Sequence, residues 1–130
     1  MKGSTVADSH SLRVRLRLKA GPKLVLGPGR LEILQGIAET GSISAAARGM
    51  EMSYRRAWLL VDDINHCFES PLVESVTGGK RGGGARLTAL GERVVAAYVR
   101  LLEKTEQAIA AERAELESLL AEILPSPNNE

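Results

Sequence analysis

Hydrophobic and basic residues alternate strictly between positions 12 and 19. Leucine or valine occupies every even position of this stretch, and arginine or lysine occupies every odd one. Period-two alternation with one apolar face is typical of a half-buried β-strand. The pattern therefore predicts a strand over residues 12–19, with its basic side chains on a solvated face. The polar residues 1–11 before it are expected to be a disordered lead-in.

Apolar spacing changes to three or four residues after Gly27-Pro28-Gly29, and this spacing predicts a helix. Proline suits the first turn of a helix, and Thr40-Gly41 supplies an end with a left-handed glycine cap. A short alanine-rich helix is predicted over 45–48, with Ser42 and Ser44 as alternative N-caps. The predicted apolar stripe of the first helix is Leu31, Leu34, Ile37 and Ala38.

Ser53 is placed to cap a third helix over about residues 54–68. Val61 and Ile64 are expected to face the core, and Trp58 is interpreted as a core residue more than a contact. Two helices joined by about four residues, the first of them short, form a helix-turn-helix. Ala46 or Ala47 is expected at the helix crossing, where larger side chains would not fit.

A β-hairpin is predicted next, because strand-like residues 72–76 and 85–87 flank a glycine-rich basic loop. Thr88 then caps a last helix, predicted to run to residue 124 without interruption. A helix of about 35 residues would be roughly 50 Å long, more than a body of this size covers. We therefore expect its apolar stripe to pack against a second copy. The alternatives are a helix that bends back over its own body or frays after Glu112.

These elements predict a mainly α fold with a small β wing: a winged helix-turn-helix over residues 12–88 with an N-terminal strand. A dimerisation helix over 89–124 and a disordered tail over 125–130 complete the expected organisation. The residues expected at the dimer interface are Tyr98, Leu101, Leu102, Thr105, Ile109 and Leu116.

Charge is distributed unevenly along the chain. The chain carries 17 bases and 16 acids, but residues 103–130 hold seven acids against two bases. The remainder is therefore basic, as expected of a module that binds a polyanion such as DNA. The single cysteine, Cys67, excludes an internal disulfide, and no apolar run approaches the length of a membrane span. We expect a cytoplasmic protein with no membrane contact.

Two segments resemble the molybdate-responsive transcription regulators of the ModE family. They are Gly41–Ala47 continuing through Ser53–Trp58, and the wing stretch Thr77–Thr88 with Gly91 after it. The Ser-x-Ser-x-Ala-Ala and Leu-Thr-x-x-Gly features are shared with LysR-type regulators. The resemblance covers about residues 12–110 and implies a winged helix-turn-helix, a long dimerisation helix and recognition of palindromic DNA by a homodimer. Members of the family carry further molybdate-binding domains, for which 130 residues are expected to leave no room.

Arginines at the start of the third helix are the main candidates for DNA recognition. Arg55 or Arg56 is predicted to read a base, since arginine bonds guanine O6 and N7, while the other holds a phosphate. Arg56 stands where the family resemblance implies a small polar residue. The predicted DNA-binding residues are Ser42, Ser44, Ser53, Tyr54, Arg55, Arg56, Lys80, Arg81 and Arg86. For the basic residues of 12–19, DNA contact is the alternative to a solvated face.

Enzymatic function is not supported by the sequence. His66 and Cys67 are adjacent on a helix and point about 100° apart, and the sequence has neither metal-ligand spacing nor a nucleophile–base set. We expect no catalytic residue, metal or cofactor, a buried Cys67, and Asp62-Asp63 either solvated or paired with nearby arginines. The functional alternatives are a module that pairs with a heteromeric partner regulator and a direct sensor of molybdate or tungstate.

Overall fold

The computed structural model describes residues 11–79 and 82–122. These residues form two compact units, one of residues 15–100 and the other of residues 11–14 with 101–122. The expected lead-in and tail lie outside the described residues, except for Ser11. The wing-tip residues Lys80 and Arg81 also lie outside them.

Helices predominate among the described elements, and two short antiparallel hairpins accompany them. The elements are, in chain order, β1 (Leu18–Ala20), β2 (Lys23–Leu26), α1 (Pro28–Thr40), α2 (Ile43–Gly49), α3 (Tyr54–Asn65), β3 (Val73–Gly79), β4 (Gly82–Leu87), α4 (Ala89–Ala108) and α5 (Ala110–Ser118).

The N-terminal strand is shorter than its alternating pattern predicted. Only β1 is a strand, and it pairs with β2 across a turn at Gly21, whose φ is 58°. Sequence reasoning missed β2. The alternation itself is nevertheless visible, because residues 12–19 alternate between partly buried and exposed as the pattern requires. A strand needs a hydrogen-bonded partner, and the paired region ends at Leu18, which faces Leu26.

Helix α1 begins and ends as its flanking residues predicted. Gly27 is the N-cap, Pro28 the first helical residue, and Gly41 the left-handed C-cap with φ 79°. Gly36, in the middle of α1, lies where α2 crosses it: a Cβ at this position would be 2.9 Å from the Cβ of Ala46. Ala46 and Ala47 are both buried. The close crossing at Ala46 is between α1 and α2, whereas the sequence interpretation placed it between the two helices of the helix-turn-helix.

The core of the 15–100 unit lies between α1, α2, α3 and the β3–β4 hairpin. Helix α3 contributes Ala57, Val61 and Ile64 to it, and burial of the two larger side chains, Val61 and Ile64, stabilises the fold by about 1.5–3 kcal/mol each. The helix ends at Asn65 rather than at residue 68. The Asn65 side chain accepts hydrogen bonds from the backbone N–H groups of Leu72 and Val73, at 2.8 and 3.0 Å.

Thr88 joins the wing to α4. Its hydroxyl accepts a bond from the Gly91 N–H at 3.0 Å, which confirms the predicted cap, and donates to the Pro71 carbonyl at 2.8 Å. Its N–H donates to the Leu72 carbonyl at 2.8 Å. A Cβ at Gly91 would collide with that same carbonyl. The Leu-Thr-x-x-Gly pattern therefore fixes where the wing ends and the helix begins.

The C-terminal helix is interrupted, contrary to the prediction of one continuous element. Helix α4 ends at Ala108, Ile109 has φ −102° and ψ 7°, and α5 ends at Ser118 rather than at residue 124. Within the second unit, Arg113 pairs with Glu106 and Glu117, at 3.4 and 3.2 Å. The Leu12 N–H also donates to the Glu117 carboxylate at 2.7 Å. Period-3.6 spacing alone could not reveal this break, since no glycine or proline marks it.

Candidate nucleic-acid interface

Two serines cap the helices of the helix-turn-helix. The Ser42 hydroxyl accepts a bond from the Ala45 N–H at 2.8 Å, and the Ser53 hydroxyl accepts one from the Arg56 N–H at 3.1 Å. Ser44, the alternative cap, lies inside α2 and accepts a 3.4 Å bond from Arg48. The turn between α2 and α3 is only residues 50–53, and the two helices are in contact.

Helix α3 has one buried and one exposed face. Ala57, Val61 and Ile64 are inside, whereas Tyr54, Arg55 and Arg56 are exposed in the first turn. Leu59 is 49 % exposed. An amphipathic helix whose first turn projects basic and hydrogen-bonding groups has the form of a recognition helix.

Trp58 corrects an expectation, because it is 47 % exposed and not a core residue. Successive helical residues are about 100° apart, and Ala57 occupies the centre of the inward face. Trp58 is thereby turned to the flank of the helix, one turn after Tyr54. Sequence reasoning assigned it to the core because it lies one turn beyond the predicted contacts and was expected on a different face of the helix. The cue that it missed was the small residue beside it.

The cations at the start of α3 have no partner in the described part of the chain. Neither Arg55 nor Arg56 makes a side-chain hydrogen bond or ion pair within residues 11–79 and 82–122. Arg86, the third predicted cation with a described side chain, differs: its Nε lies 2.8 Å from the Glu74 carboxylate, directly across the β3–β4 ladder. Both side chains of that pair are largely exposed, so the pair is weak but lowers the net charge at the base of the wing.

An acidic residue near the C-terminal end of α3, Asp63, forms ion pairs with cations of β2 and α1. Asp63 accepts hydrogen bonds from Lys23 at 2.7 and 2.8 Å and from Arg30 at 2.6 Å. These hydrogen bonds, the one from Lys23 foremost, hold the pKa of Asp63 below its ordinary value of 3.8. The expectation that Asp62-Asp63 would meet nearby arginines is confirmed for Asp63. Cys67 is partly buried rather than buried, with its sulfur 3.9 Å from the Arg30 guanidinium.

The residues expected at a dimer interface have different exposures. Tyr98 is only 2 % exposed within its own chain, and its hydroxyl donates to the Leu16 carbonyl at 2.7 Å. Burial raises the pKa of this phenol. Tyr98 is therefore corrected from an interface residue to one that packs inside the monomer. Leu101, Leu102, Thr105 and Ile109 are partly buried, and Leu116 is 55 % exposed.

Neither a group of metal ligands nor a membrane-spanning helix is found in the part of the chain that the structure describes. Within residues 11–79 and 82–122, no three histidine, cysteine or acidic residues are grouped so that they could hold a metal ion. The helices of the same residues are all too short or too polar to cross a bilayer.

Comparison with known proteins identifies the helix-turn-helix. Residues 28–92 match the family of bacterial regulatory helix-turn-helix proteins of the lysR family. The chain is 40 % identical over 113 residues to the transcriptional regulator ModE of Yersinia pestis, covering 85 % of this chain and 43 % of that protein. It is 40 % identical over 114 residues to the DNA-binding transcriptional dual regulator ModE of Escherichia coli strain K12, covering 85 % and 44 %.

A third relative carries a molybdenum-related name. This is the molybdenum-pterin-binding protein MopB of Rhodobacter capsulatus, 41 % identical over 98 residues that make up 70 % of this chain and 36 % of that protein. The chain thus spans less than half the length of these curated relatives.

The fold matches that of a solved DNA-binding domain. The structure of the CbnR DNA-binding domain in complex with DNA superposes with a TM-score of 0.53 and 24 % identity, covering 68 % of this chain and 95 % of that one. At this identity the likeness shows the winged-helix fold alone. Because the matched helix-turn-helix residues make up half of the chain, the chain belongs to the bacterial regulatory helix-turn-helix proteins of the lysR family.

Proposed function

We propose that this chain is a transcription regulator that binds palindromic double-stranded DNA as a homodimer, with α3 as its recognition helix. The observation that carries the proposal is the first turn of α3, where two exposed arginines without a partner among the described residues project beside Ser53 and Tyr54. Binding to the phosphate backbone needs several cations on one protein surface. Guanine presents two acceptors in the major groove, and an arginine at the start of a recognition helix can donate to both.

Each side chain of this turn has a role in the proposal. Arg55, exposed in the first turn, reads a base edge. Arg56, which lines a cleft together with the first residues of α1, holds the backbone. Tyr54 and Trp58 present exposed apolar surface one turn apart, which suits contact with thymine methyl groups. The wing adds a second contact through Lys80 and Arg81, which lie outside the described residues.

Dimerisation supplies the second half-site. The second unit exposes Leu116 by 55 % and Leu119 by 72 %, and apolar side chains at this spacing suit burial against a second copy. In this proposal the chain acts in the cytoplasm by binding alone, without a catalytic step. The names of the ModE relatives, which are transcriptional regulators, support the same role.

Selection of bound sequences from a random duplex pool tests the proposal. The wild-type chain should enrich an inverted repeat whose half-sites are separated by one or more helical turns. The paired variant Arg55→Ala with Arg56→Ala should enrich nothing above the starting pool. Failure of the wild-type chain to enrich any motif, with the protein folded by circular dichroism, would contradict the proposal. Enrichment of a single unrepeated half-site would contradict the homodimer only.

A further inference from the structure

An open cleft of about 430 Å³ lies at the N-terminus of α1. Four arginines from separate parts of the chain line it. Arg15 and Arg17 precede β1, Arg30 lies in the first turn of α1, and Arg56 lies in the first turn of α3. None of the described residues that line the cleft is acidic.

Three of these four arginines have no counter-charge among the residues that the structure describes. The Arg30 guanidinium bonds the Asp63 carboxylate at 2.6 Å, so its charge is compensated. Arg15, Arg17 and Arg56, by contrast, make no side-chain hydrogen bond or ion pair with any residue that the structure describes. Like charges that share a cleft repel one another, and a bound anion would remove that repulsion.

The backbone at the same cleft also favours a bound anion. Gly27 caps α1 without a side-chain bond, and the first turn of α1 contains no acidic residue. The first N–H groups of a helix have no acceptor within the helix, and the helix dipole adds positive potential there. Gly27 and Gly29 both line the cleft, so an anion can approach these N–H groups closely. Helix terminus and guanidinium groups thus converge on one space.

We propose that this arginine cleft binds a phosphate group of the duplex backbone, outside the groove that α3 enters. The inference rests on the proposed function, because Arg56 belongs to the same helical turn as Arg55. A backbone that borders the groove read by Arg55 therefore passes close to Arg56. Planar guanidinium groups bond phosphate oxygens in pairs, and several of them can share one phosphate. Free inorganic phosphate has the same tetrahedral chemistry and is the other possible source.

The salt dependence of duplex binding distinguishes a phosphate contact in the cleft from the general effect of two positive charges. The variant Arg15→Ala with Arg17→Ala removes two cleft cations, and the control Arg13→Ala with Lys19→Ala removes two from the same segment that do not line the cleft. Each phosphate contact contributes about 0.9 to the slope of log affinity against log salt. We expect the cleft variant to flatten this slope by about 1, equally on selected and random duplexes. The control should keep the wild-type slope.

Equal slopes for the cleft variant and the control, both folded with wild-type thermal midpoints, would overturn the proposal while leaving the regulator intact. A wild-type chain that binds no duplex would instead refute the proposed function itself. Inorganic phosphate, exchanged for chloride at constant ionic strength, separates the two sources. We expect it to compete with duplex for the wild-type cleft and not for the cleft variant. If phosphate raises the wild-type midpoint but the cleft variant keeps full duplex affinity and slope, the cleft binds the free ion and the proposal is wrong.

Discussion

The backbone N–H of Ala85 donates a 2.9 Å hydrogen bond to the carbonyl oxygen of Gly41, the residue that ends α1. This bond attaches strand β4 of the wing to the start of the helix-turn-helix. It is possible because Gly84, the preceding residue, has no side chain: a Cβ there would lie 2.6 Å from the same oxygen. Glycine at this position is therefore required by a close backbone approach and not only by loop flexibility.

Replacement of Gly84 by alanine should destabilise the domain by about 1–3 kcal/mol, because the collision is with backbone that cannot rotate away. Chemical unfolding measures the effect. Gly49→Ala is the matched control, since a Cβ at Gly49 would meet nothing within 4 Å. Alanine there should leave stability unchanged or raise it by up to about 1 kcal/mol. A Gly84→Ala variant as stable as the Gly49→Ala variant would contradict the assigned attachment.

Asn65 closes the turn between α3 and the wing through three hydrogen bonds. Its amide oxygen accepts hydrogen bonds from the N–H groups of Leu72 and Val73, and its Nδ2 donates to the Val73 carbonyl at 3.2 Å. Asn65→Ala leaves partly buried N–H groups without an acceptor and should cost about 1–3 kcal/mol of unfolding free energy. Asn65→Asp keeps the acceptors and should be the milder change. Equal losses for the two variants would show that the two N–H groups do not depend on this oxygen.

Much of the helix-turn-helix could be predicted from the sequence, because its signals are local. Ser42, Ser53 and Gly41 mark helix ends by their own backbone and side-chain chemistry, and the structure confirms each. The β2 strand was missed, since a short strand is defined by its partner and not by its own pattern. The break at Ile109 was missed because no residue type signals it.

Prediction of the candidate site from the sequence was limited by long-range contacts. The exposure of Arg55 could be inferred from its place before the buried Ala57, but the gathering of Arg15 and Arg17 with Arg56 could not. Arg56 is about forty residues from Arg15 and Arg17 in the chain, and only the tertiary fold brings it close to them. The contact of Tyr98 with Leu16 is likewise long-range in the sequence. It buries within the monomer a residue that helical spacing had placed at the dimer interface.

Asp63 should make stability depend on pH in the acid range. Hydrogen bonds from Lys23 and Arg30 lower its folded-state pKa below 3.8, so its contribution is present above the unfolded pKa and is lost as pH falls through the lower folded value. The Asp63 side chain is 38 % exposed, and solvent screening limits the effect to about 1 kcal/mol or less.

Unfolding measured against pH checks this expectation. The stability difference between wild type and Asp63→Asn should be constant near neutral pH and shrink below pH 3.8. Asp62→Asn is the control, because Asp62 pairs with neither Lys23 nor Arg30 among the described residues. A difference that persists undiminished in acid would show that the Asp63 ion pairs are not its cause.

Leu116 tests the proposed homodimer. The variant Leu116→Lys places a charge on the exposed apolar face of α5, where burial against a second copy would be strongly opposed. Light scattering should show a dimeric mass for the wild type and a monomeric mass for the variant. Glu115→Lys, at the neighbouring exposed position, adds the same residue and should remain dimeric. A monomeric wild type at micromolar concentration would refute the dimer.

The measurement that tests the central claim most directly is the affinity of Arg55→Ala for the selected duplex and for random duplex at one salt concentration. If Arg55 reads a base, the variant should lose about 1–3 kcal/mol of preference for the selected sequence while keeping most of its affinity for random DNA. Arg13→Ala, which removes an equal charge outside α3, should keep the wild-type preference. An Arg55→Ala variant that retains the full preference, or weakens on both duplexes equally, would contradict base recognition by the first turn of α3.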